Sequence, residues 1–252
     1  MRLHLLSGGR LRMRRSIYQP GAPKGETFEL PVSCALLRHA RGNVLFDTGC
    51  NPAAAADPEG RWGGLARVMT PIFAAEDTVV PQLAVLGLTP DDIDVVVCSH
   101  LHPDHCGCNA AFGRATIMCH AAELDAARAE AAETQGYLPD EWERPGGYTT
   151  FADRHDLFGD GRIVLLPLPG HTPGTTGALV ELERDGRFLI ASDAAPMRSA
   201  LAGVAPKNNW NQELAAASVA EIRRLEADGA VVIFGHDDTQ WAGLRKGGDF
   251  YE

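Results

Sequence analysis

The stretch Ser99-His100-Leu101-His102-Pro103-Asp104-His105-Cys106-Gly107 places three imidazoles and one carboxylate within six consecutive positions. Imidazole nitrogen and carboxylate oxygen are the donors that suit zinc and neighbouring divalent ions. Burying four such groups together is costly unless they share a cation. Three other segments follow one design, a short apolar run that stops at a further donor. Ile163-Val164-Leu165-Leu166 leads through Pro167 to Pro169-Gly170-His171, Phe188 to Ser192 ends at Asp193, and Ala230 to Gly235 ends at His236. Asn43-Val44-Leu45-Phe46 likewise ends at Asp47-Thr48-Gly49. Seven side chains are therefore candidate ligands: His100, His102, Asp104, His105, His171, Asp193 and His236. Two zinc ions with a bridging carboxylate need about this set: three imidazoles for one, and a carboxylate with two imidazoles for the other. Water bound there loses a proton near neutrality and becomes a nucleophile, while the second ion polarises a carbonyl or steadies a leaving oxygen. The chain has no G-x-S-x-G elbow, P-loop or dinucleotide-binding glycine fingerprint. Metal-assisted hydrolysis is the chemistry that remains. His4, His39, His120 and His155 lack matching partners and read as structural or surface residues.

Those donors need a frame. Short apolar runs bounded by Gly or Pro predict strands buried on both faces. Donors just past their carboxyl ends lie on loops held by a rigid sheet, where sites tend to be built. Residues 2–18 predict a hairpin turning at Gly8-Gly9, with Arg10-Leu11-Arg12-Met13-Arg14-Arg15 alternating as an exposed strand does. Ser33 to Arg38 and Asn43 to Phe46 predict strands joined by a turn at Arg41-Gly42. Asp57 to Gly64 predicts a loop and candidate lid with Trp62 at its tip. Glu76 to Leu88 and the Ala- and Glu-rich His120 to Gln135 predict helices. In Gln212 to Asp228, Leu214, Ser218, Ile222 and Leu225 stand at helical spacing, with Asn211 as N-cap and Gly229 as stop. Asn208, Asn209 and Trp210, just before that helix, are candidates for a pocket wall. Strands in blocks with helices between them predict two packed sheets flanked by helices.

At 252 residues the chain is long enough to bury a sizeable core. It shows no linker or repeat, and its donors run from residue 100 to 236, so a single domain over residues 1–252 is expected. A net charge of −10 argues against a nucleic-acid partner, and two divalent cations would offset part of it locally. Met1 to Arg10 lacks the apolar core and cleavage site of a secretory signal, and no stretch reaches membrane-spanning length. A cytoplasmic protein without a membrane partner is the expectation. The six cysteines lack CxxC spacing and predict reduced thiols. Cys106 and Cys108 stand beside the dense motif, but the His and Asp set already fills two coordination spheres.

The order His100-x-His102-x-Asp104-His105, Gly170-His171-Thr172-Pro173-Gly174, Asp193 and Gly235-His236-Asp237 resembles the metallo-β-lactamase superfamily, from Asp47 to Trp241. Within it the chain is most similar to the N-acyl-homoserine lactonases, through Phe46-Asp47-Thr48-Gly49, Ala121-Ala122-Glu123-Leu124 and Phe234-Gly235-His236-Asp237 with Trp241 following. The resemblance implies an α/β fold, the αββα sandwich of two mixed sheets flanked by helices. It implies one zinc on His100, His102 and His171 and a second on Asp104, His105 and His236. Asp193 would bridge them, and Asp47 would orient an imidazole or water from behind. The implied reaction is attack of a metal-bridging hydroxide on a lactone carbonyl, with one metal in place of an oxyanion hole and Asp104 as candidate proton shuttle. The expected substrate is an N-acyl-homoserine lactone, a quorum-quenching activity. The alternative is another small lactone, such as the aromatic-fused pyridoxolactone, or a thioester.

One position departs from the pattern. The better-known lactonases carry a Tyr three residues after the bridging Asp, where this chain has Pro196, so the identity of the lactone stays open. A glutathione-thioester hydrolase is expected to show Gly-Asp-Thr where Ser192-Asp193-Ala194 stands. A reading from a different class is a non-catalytic zinc module, which would hold one ion in a closed site of four protein ligands. A homodimer is the one macromolecular assembly left open.

Overall fold

The two longest strands, β1 (Arg2–Arg14) and β2 (Thr27–His39), pair antiparallel in a computed structural model that describes residues 1–252. β3 (Gly42–Phe46) returns antiparallel to β2, and β5 (Val95–Val97), β6 (Thr116–His120) and β7 (Thr149–Phe151) then add in parallel. β4 (Met69–Pro71) closes the other edge, giving the order β4-β1-β2-β3-β5-β6-β7. The second sheet contains β8 (His155–Asp156), β9 (Ile163–Pro167), β10 (Thr176–Glu181), β11 (Arg187–Ser192) and β12 (Val231–Phe234) in the order β12-β11-β10-β9-β8. Only its β11/β12 pair is parallel. The helices are α1 (Arg15–Tyr18), α2 (Pro52–Ala56), α3 (Pro58–Trp62), α4 (Val79–Val85), α5 (Pro103–Cys106), α6 (Ala121–Ala127), α7 (Pro139–Trp142), α8 (Arg198–Leu201), α9 (Gln212–Ala227) and α10 (Asp238–Gly243).

Side chains alternate faces along a strand, and here both faces are apolar. Ala35, Leu37, Val44, Phe46 and Val97 of the first sheet meet Ile163, Leu165, Val180, Ile190 and Ile233 of the second in one buried layer. The intervening residues Leu36, Leu45, Val96 and Ile117 face outward onto Val79 and Leu83 of α4. Val164, Leu189, Val232 and Phe234 of the second sheet pack on Ile222 and Leu225 of α9. Helix, sheet, sheet, helix is the resulting order of layers, which is the αββα sandwich. α9 spans Gln212–Ala227, with the Asn211 side chain accepting from the N–H groups of Glu213 and Leu214, and Gly229 follows at φ +96. Leu214 lies on its outer side, 38% exposed, whereas Ser218, Ile222 and Leu225 are buried.

Four local expectations are corrected. Gly8-Gly9 is not a hairpin turn: β1 runs through it, with a register shift between Ser7 and Arg10. The small residues are needed because a Cβ on Gly8 would overlap the backbone of Gly49 and one on Gly9 would overlap the Phe73 ring. Asp57 to Gly64 is not an open lid. Trp62 ends α3 only 2% exposed, and its indole N–H donates to Glu141 Oε1 at 2.9 Å. His120 to Gln135 is not one helix but α6 followed by a 3-10 turn over Ala132–Gln135, with Ala131 between them at φ +60. Helix propensity does not carry the segment through Ala131, and the 3-10 turn that follows presents the Gln135 carbonyl to the His102 ring. The Glu76 to Leu88 region is helical over a shorter span, a 3-10 turn at Ala75–Asp77 and then α4. All six cysteines are free and buried. No helix is long and apolar enough to cross a membrane.

Candidate metal centre

β3, β5, β9, β11 and β12 end near one rim between the sheets, and each delivers a polar residue there. β3 ends at Asp47, held at φ +61, and β11 ends with Ser192 at φ +47. Such left-handed backbone at non-glycine positions carries strain, and it recurs at functional sites. After β5 the chain passes Ser99, His100, Leu101 and His102 and enters α5, where Pro103 occupies the first turn. α5 brings in Asp104 and His105. The two sheets are tied close to this rim: Ser192 Oγ donates to Ser99 Oγ at 2.8 Å, and Ser33 Oγ donates to the Phe234 carbonyl at 3.2 Å.

Seven side chains converge. Ligand atoms of His100, His102 and His171 lie within 4.8 Å of one another, as do those of His100, His105 and Asp193, and those of Asp104, His105 and His236. Asp193 sits centrally: one oxygen is 3.4 Å from His171 Nε2, and the other is 3.5 Å from His105 Nε2 and 2.9 Å from His236 Nε2. Asp104 Oδ2 is 3.5 Å from His105 Nε2 and 3.7 Å from His236 Nε2. The imidazoles are oriented from behind. His105 Nδ1 donates to Asp47 Oδ2 at 2.8 Å, His236 Nδ1 to the Pro31 carbonyl at 2.8 Å, and His102 Nε2 to the Gln135 carbonyl at 2.9 Å. His100 Nδ1 pairs with Ser99 Oγ at 3.0 Å, and Asp47 also accepts from the Ser99 N–H at 2.6 Å and its hydroxyl at 2.7 Å.

A cation fits this donor set. Nε2 of His100, His105 and His236 and Oδ1 of Asp193 are buried with no aligned hydrogen-bond partner. Each such orphan costs about 1–3 kcal/mol, and four pointing at one space is an arrangement that an ion relieves. The electrostatics agree. Burial pulls His100 well below the usual imidazole range, with His105 and His102 adding to it. Burial likewise takes His171 down to about 4, with Asp193 offsetting only part. Both present neutral lone pairs. Burial also lowers His105, but Asp104, Asp47 and Asp193 outweigh it and lift the ring to about 10. His236 is raised in the same way, against burial, by Asp193 and then Asp104. Burial raises Asp193, yet the imidazoles of His236, His171 and His105 hold its carboxyl well below the carboxylate range. The carboxylate-rich side thus demands positive charge.

The centre opens into a cavity of about 700 Å³ that reaches His102, Asp104 and His171. Met13, Ile17, Leu65, Val68 and Met69 give it an apolar wall, and Asn208, Asn209 and Trp210 line it too. Trp210 is 52% exposed. Pro196 turns no side-chain donor toward the centre; its carbonyl accepts the His236 N–H at 2.8 Å. Tyr18 is the tyrosine whose ring stands against His236, at 6.0 Å between centroids, and Tyr137 stands 5.2 Å from His102. Of the remaining imidazoles, His120 caps α6 by accepting from the Ala122 N–H at 3.1 Å, and His4 pairs with the Gly247 carbonyl. His39 and His155 stack on Phe158 and Phe151. Cys106 packs in the apolar core and Cys108 points its thiol at the Cys50 carbonyl. Pattern and spacing do not single out Ser99, Ser192, Gln135 or Tyr137, although Ser99 and Ser192 each directly precede a donor.

The sequence signature of the metallo-β-lactamase superfamily matches residues 27–236, and the chain belongs to that superfamily. Within it, the chain is 32% identical to the N-acyl homoserine lactonase AttM of Azorhizobium caulinodans, covering 100% of this chain and 99% of that one. It is 30% identical to the N-acyl homoserine lactonase AiiA of Bacillus thuringiensis subsp. kurstaki, covering 97% and 96%. A structure of a B. thuringiensis AiiA mutant with N-decanoyl-L-homoserine at its active site superposes with a TM-score of 0.90, at 26% identity and over 99% of this chain and 98% of that one. An N-acyl homoserine lactone hydrolase with the product N-hexanoyl-L-homoserine at its catalytic metal centre superposes with a TM-score of 0.89, at 28% identity and the same coverage.

Proposed function

We propose that this chain, as a single domain over residues 1–252, is a dinuclear zinc hydrolase that opens N-acyl-homoserine lactones. The observation that carries the proposal is the set of three donor clusters that share His100 and His105 and reach a cavity with an apolar wall through His102, Asp104 and His171. His100, His102 and His171 would hold one zinc, Asp104, His105 and His236 the other, and Asp193 would lie between them. Two zinc ions there would acidify a shared water and polarise the ring carbonyl. The chain's own residues do the rest. Asp47, Ser99 and the carbonyls of Pro31 and Gln135 fix ring orientation, which sets which nitrogen is free to bind. Asp104 lines the cavity as well as the donor cluster, which suits it to carry a proton to the leaving alkoxide. Met13, Ile17, Leu65, Val68 and Met69 offer an acyl chain an apolar bed, and Asn208 and Asn209 offer polar contacts to the amide. A small-molecule partner accords with the formal charge of −10.

The test is a pH-indicator assay of zinc-loaded protein on acyl-homoserine lactones of several chain lengths, an aromatic-fused lactone and a thioester, together with metal analysis. Two zinc equivalents per chain and fastest opening of an acyl-homoserine lactone are expected. One tightly held ion with no turnover of any of these substrates would overturn the proposal. Preference for the fused lactone would instead move the substrate assignment.

A further inference from the structure

We infer that Glu123 is a positioning residue of the His100–His102–His171 half of the centre, a carboxylate that fixes two donor-bearing loops relative to each other. The inference rests on reading the site as a zinc centre. Glu123 lies on α6, fully buried, and belongs to none of the donor clusters. Its Oε1 accepts from the N–H of Leu101 at 2.9 Å, the residue between His100 and His102. Its Oε2 accepts from the hydroxyl of Thr172 at 2.7 Å and the N–H of Gly174 at 3.0 Å, on the residues that follow His171. One side chain thus links the loop after β5 to the loop after β9. The approach is close: a Cβ on Gly174 would overlap the backbone of Glu123. The other half of the centre has its own supports, Asp47 behind His105 and the Pro31 carbonyl behind His236, and Glu123 hydrogen-bonds to neither ring.

The chemistry requires a carboxylate. Three donors point at it, and a carboxylate offers only acceptor sites. In a glutamine the amide oxygen replaces one oxygen, and whichever way the amide turns its nitrogen faces the N–H of Gly174 or that of Leu101, donor to donor. One of the two loops then loses its tie, and His171 drifts relative to His100 and His102. Partners one step behind a metal ligand typically matter about 10–100-fold in affinity, and here the loss falls on one ion of two.

The experiment measures zinc affinity of each equivalent by chelator competition in wild-type protein, Glu123→Gln and Thr172→Val, with thermal melting of the metal-free forms. In Glu123→Gln one equivalent should bind about 10–100-fold more weakly while the other is unchanged. Thr172→Val, which removes one donor and keeps the carboxylate, should weaken the same equivalent by a smaller factor. If Glu123→Gln fails to fold, Thr172→Val decides alone. Equal weakening of both equivalents alongside a lower melting temperature would show a merely structural role and overturn the inference, as would no weakening at all. A wild-type chain that takes up no zinc would overturn the reading of the site itself, a result separate from either.

Discussion

Asp47→Asn perturbs the centre with the least change in shape. The Asp47 carboxylate accepts from the Ser99 N–H at 2.6 Å, the Ser99 hydroxyl at 2.7 Å and His105 Nδ1 at 2.8 Å, in a fully buried setting. Asparagine is nearly isosteric and tolerates the left-handed backbone at φ +61. Its amide oxygen can still serve Ser99, but the amide nitrogen then faces His105 Nδ1. A donor opposite Nδ1 makes that atom an acceptor and moves the ring proton to Nε2, the atom aimed at the ion. The imidazole is then in the wrong tautomer to bind. Loss of such an orienting partner costs about 10–100-fold in zinc affinity, or about 1.4–2.8 kcal/mol. Asp47→Ala should cost more, because it leaves the buried donors unpaired at about 1–3 kcal/mol each and puts alanine in the left-handed region at about 1 kcal/mol. The assay is chelator competition for affinity, with nitrogen-detected NMR for the His105 tautomer. Wild-type affinity in Asp47→Asn, with the proton still on Nδ1, would refute the reasoning.

Asp193→Ala should lower zinc content as well as rate, since its two oxygens approach His171 on one side and His105 and His236 on the other; unchanged content by elemental analysis would contradict a shared carboxylate. His120→Ala should leave zinc content intact and cost about 1 kcal/mol of stability in urea, as the loss of a helix cap does; a loss of zinc would mean that the ligand set is wrong. Burial pushes Cys108 and Cys119 up to about 12, and raises Cys34, Cys50, Cys98 and Cys106 well above the usual thiol range. Unfolded thiols ionise near about 8.5, so above that pH the unfolded chain sheds protons that the native chain keeps. The stability these thiols provide is complete below about 8.5 and is lost as pH rises towards about 12, by at most about 1.4 kcal/mol per pH unit for each. Urea midpoints should therefore fall from pH 8 to 10, and a disulfide reagent should label the native chain slowly; rapid labelling of all six thiols would contradict their burial.

The strands that carry the donors were legible because each alternates between two apolar layers: Val164 and Leu166 face α9 while Ile163 and Leu165 face the other sheet. Asn211 and Gly229 marked the ends of α9 by cap chemistry that is local to the chain. Local rules failed where a distant partner outbid them. The glycines at 8 and 9 signal a turn by themselves, yet β1 continues through them because Gly49 packs against that point. Trp62 looks like a loop tip until Glu141, far along the chain, accepts its N–H. The helix begun at Ala121 stops at Ala127, and the chain turns through left-handed Ala131 before the Gln135 carbonyl meets His102.

The amino-acid order by itself determined which donor types exist and that each follows a strand. That the dense motif runs into a short helix at Pro103–Cys106, rather than staying a loop, appeared only in the structure. Only the tertiary structure decided that donors from four strand ends share one space, which nitrogen of each imidazole faces it, and that Glu123 ties two of the loops together. The reason is physical: periodicity and capping act over a few residues, whereas ring orientation is set by acceptors such as Asp47, Pro31 and Gln135, which come within hydrogen-bonding reach only when the two sheets pack.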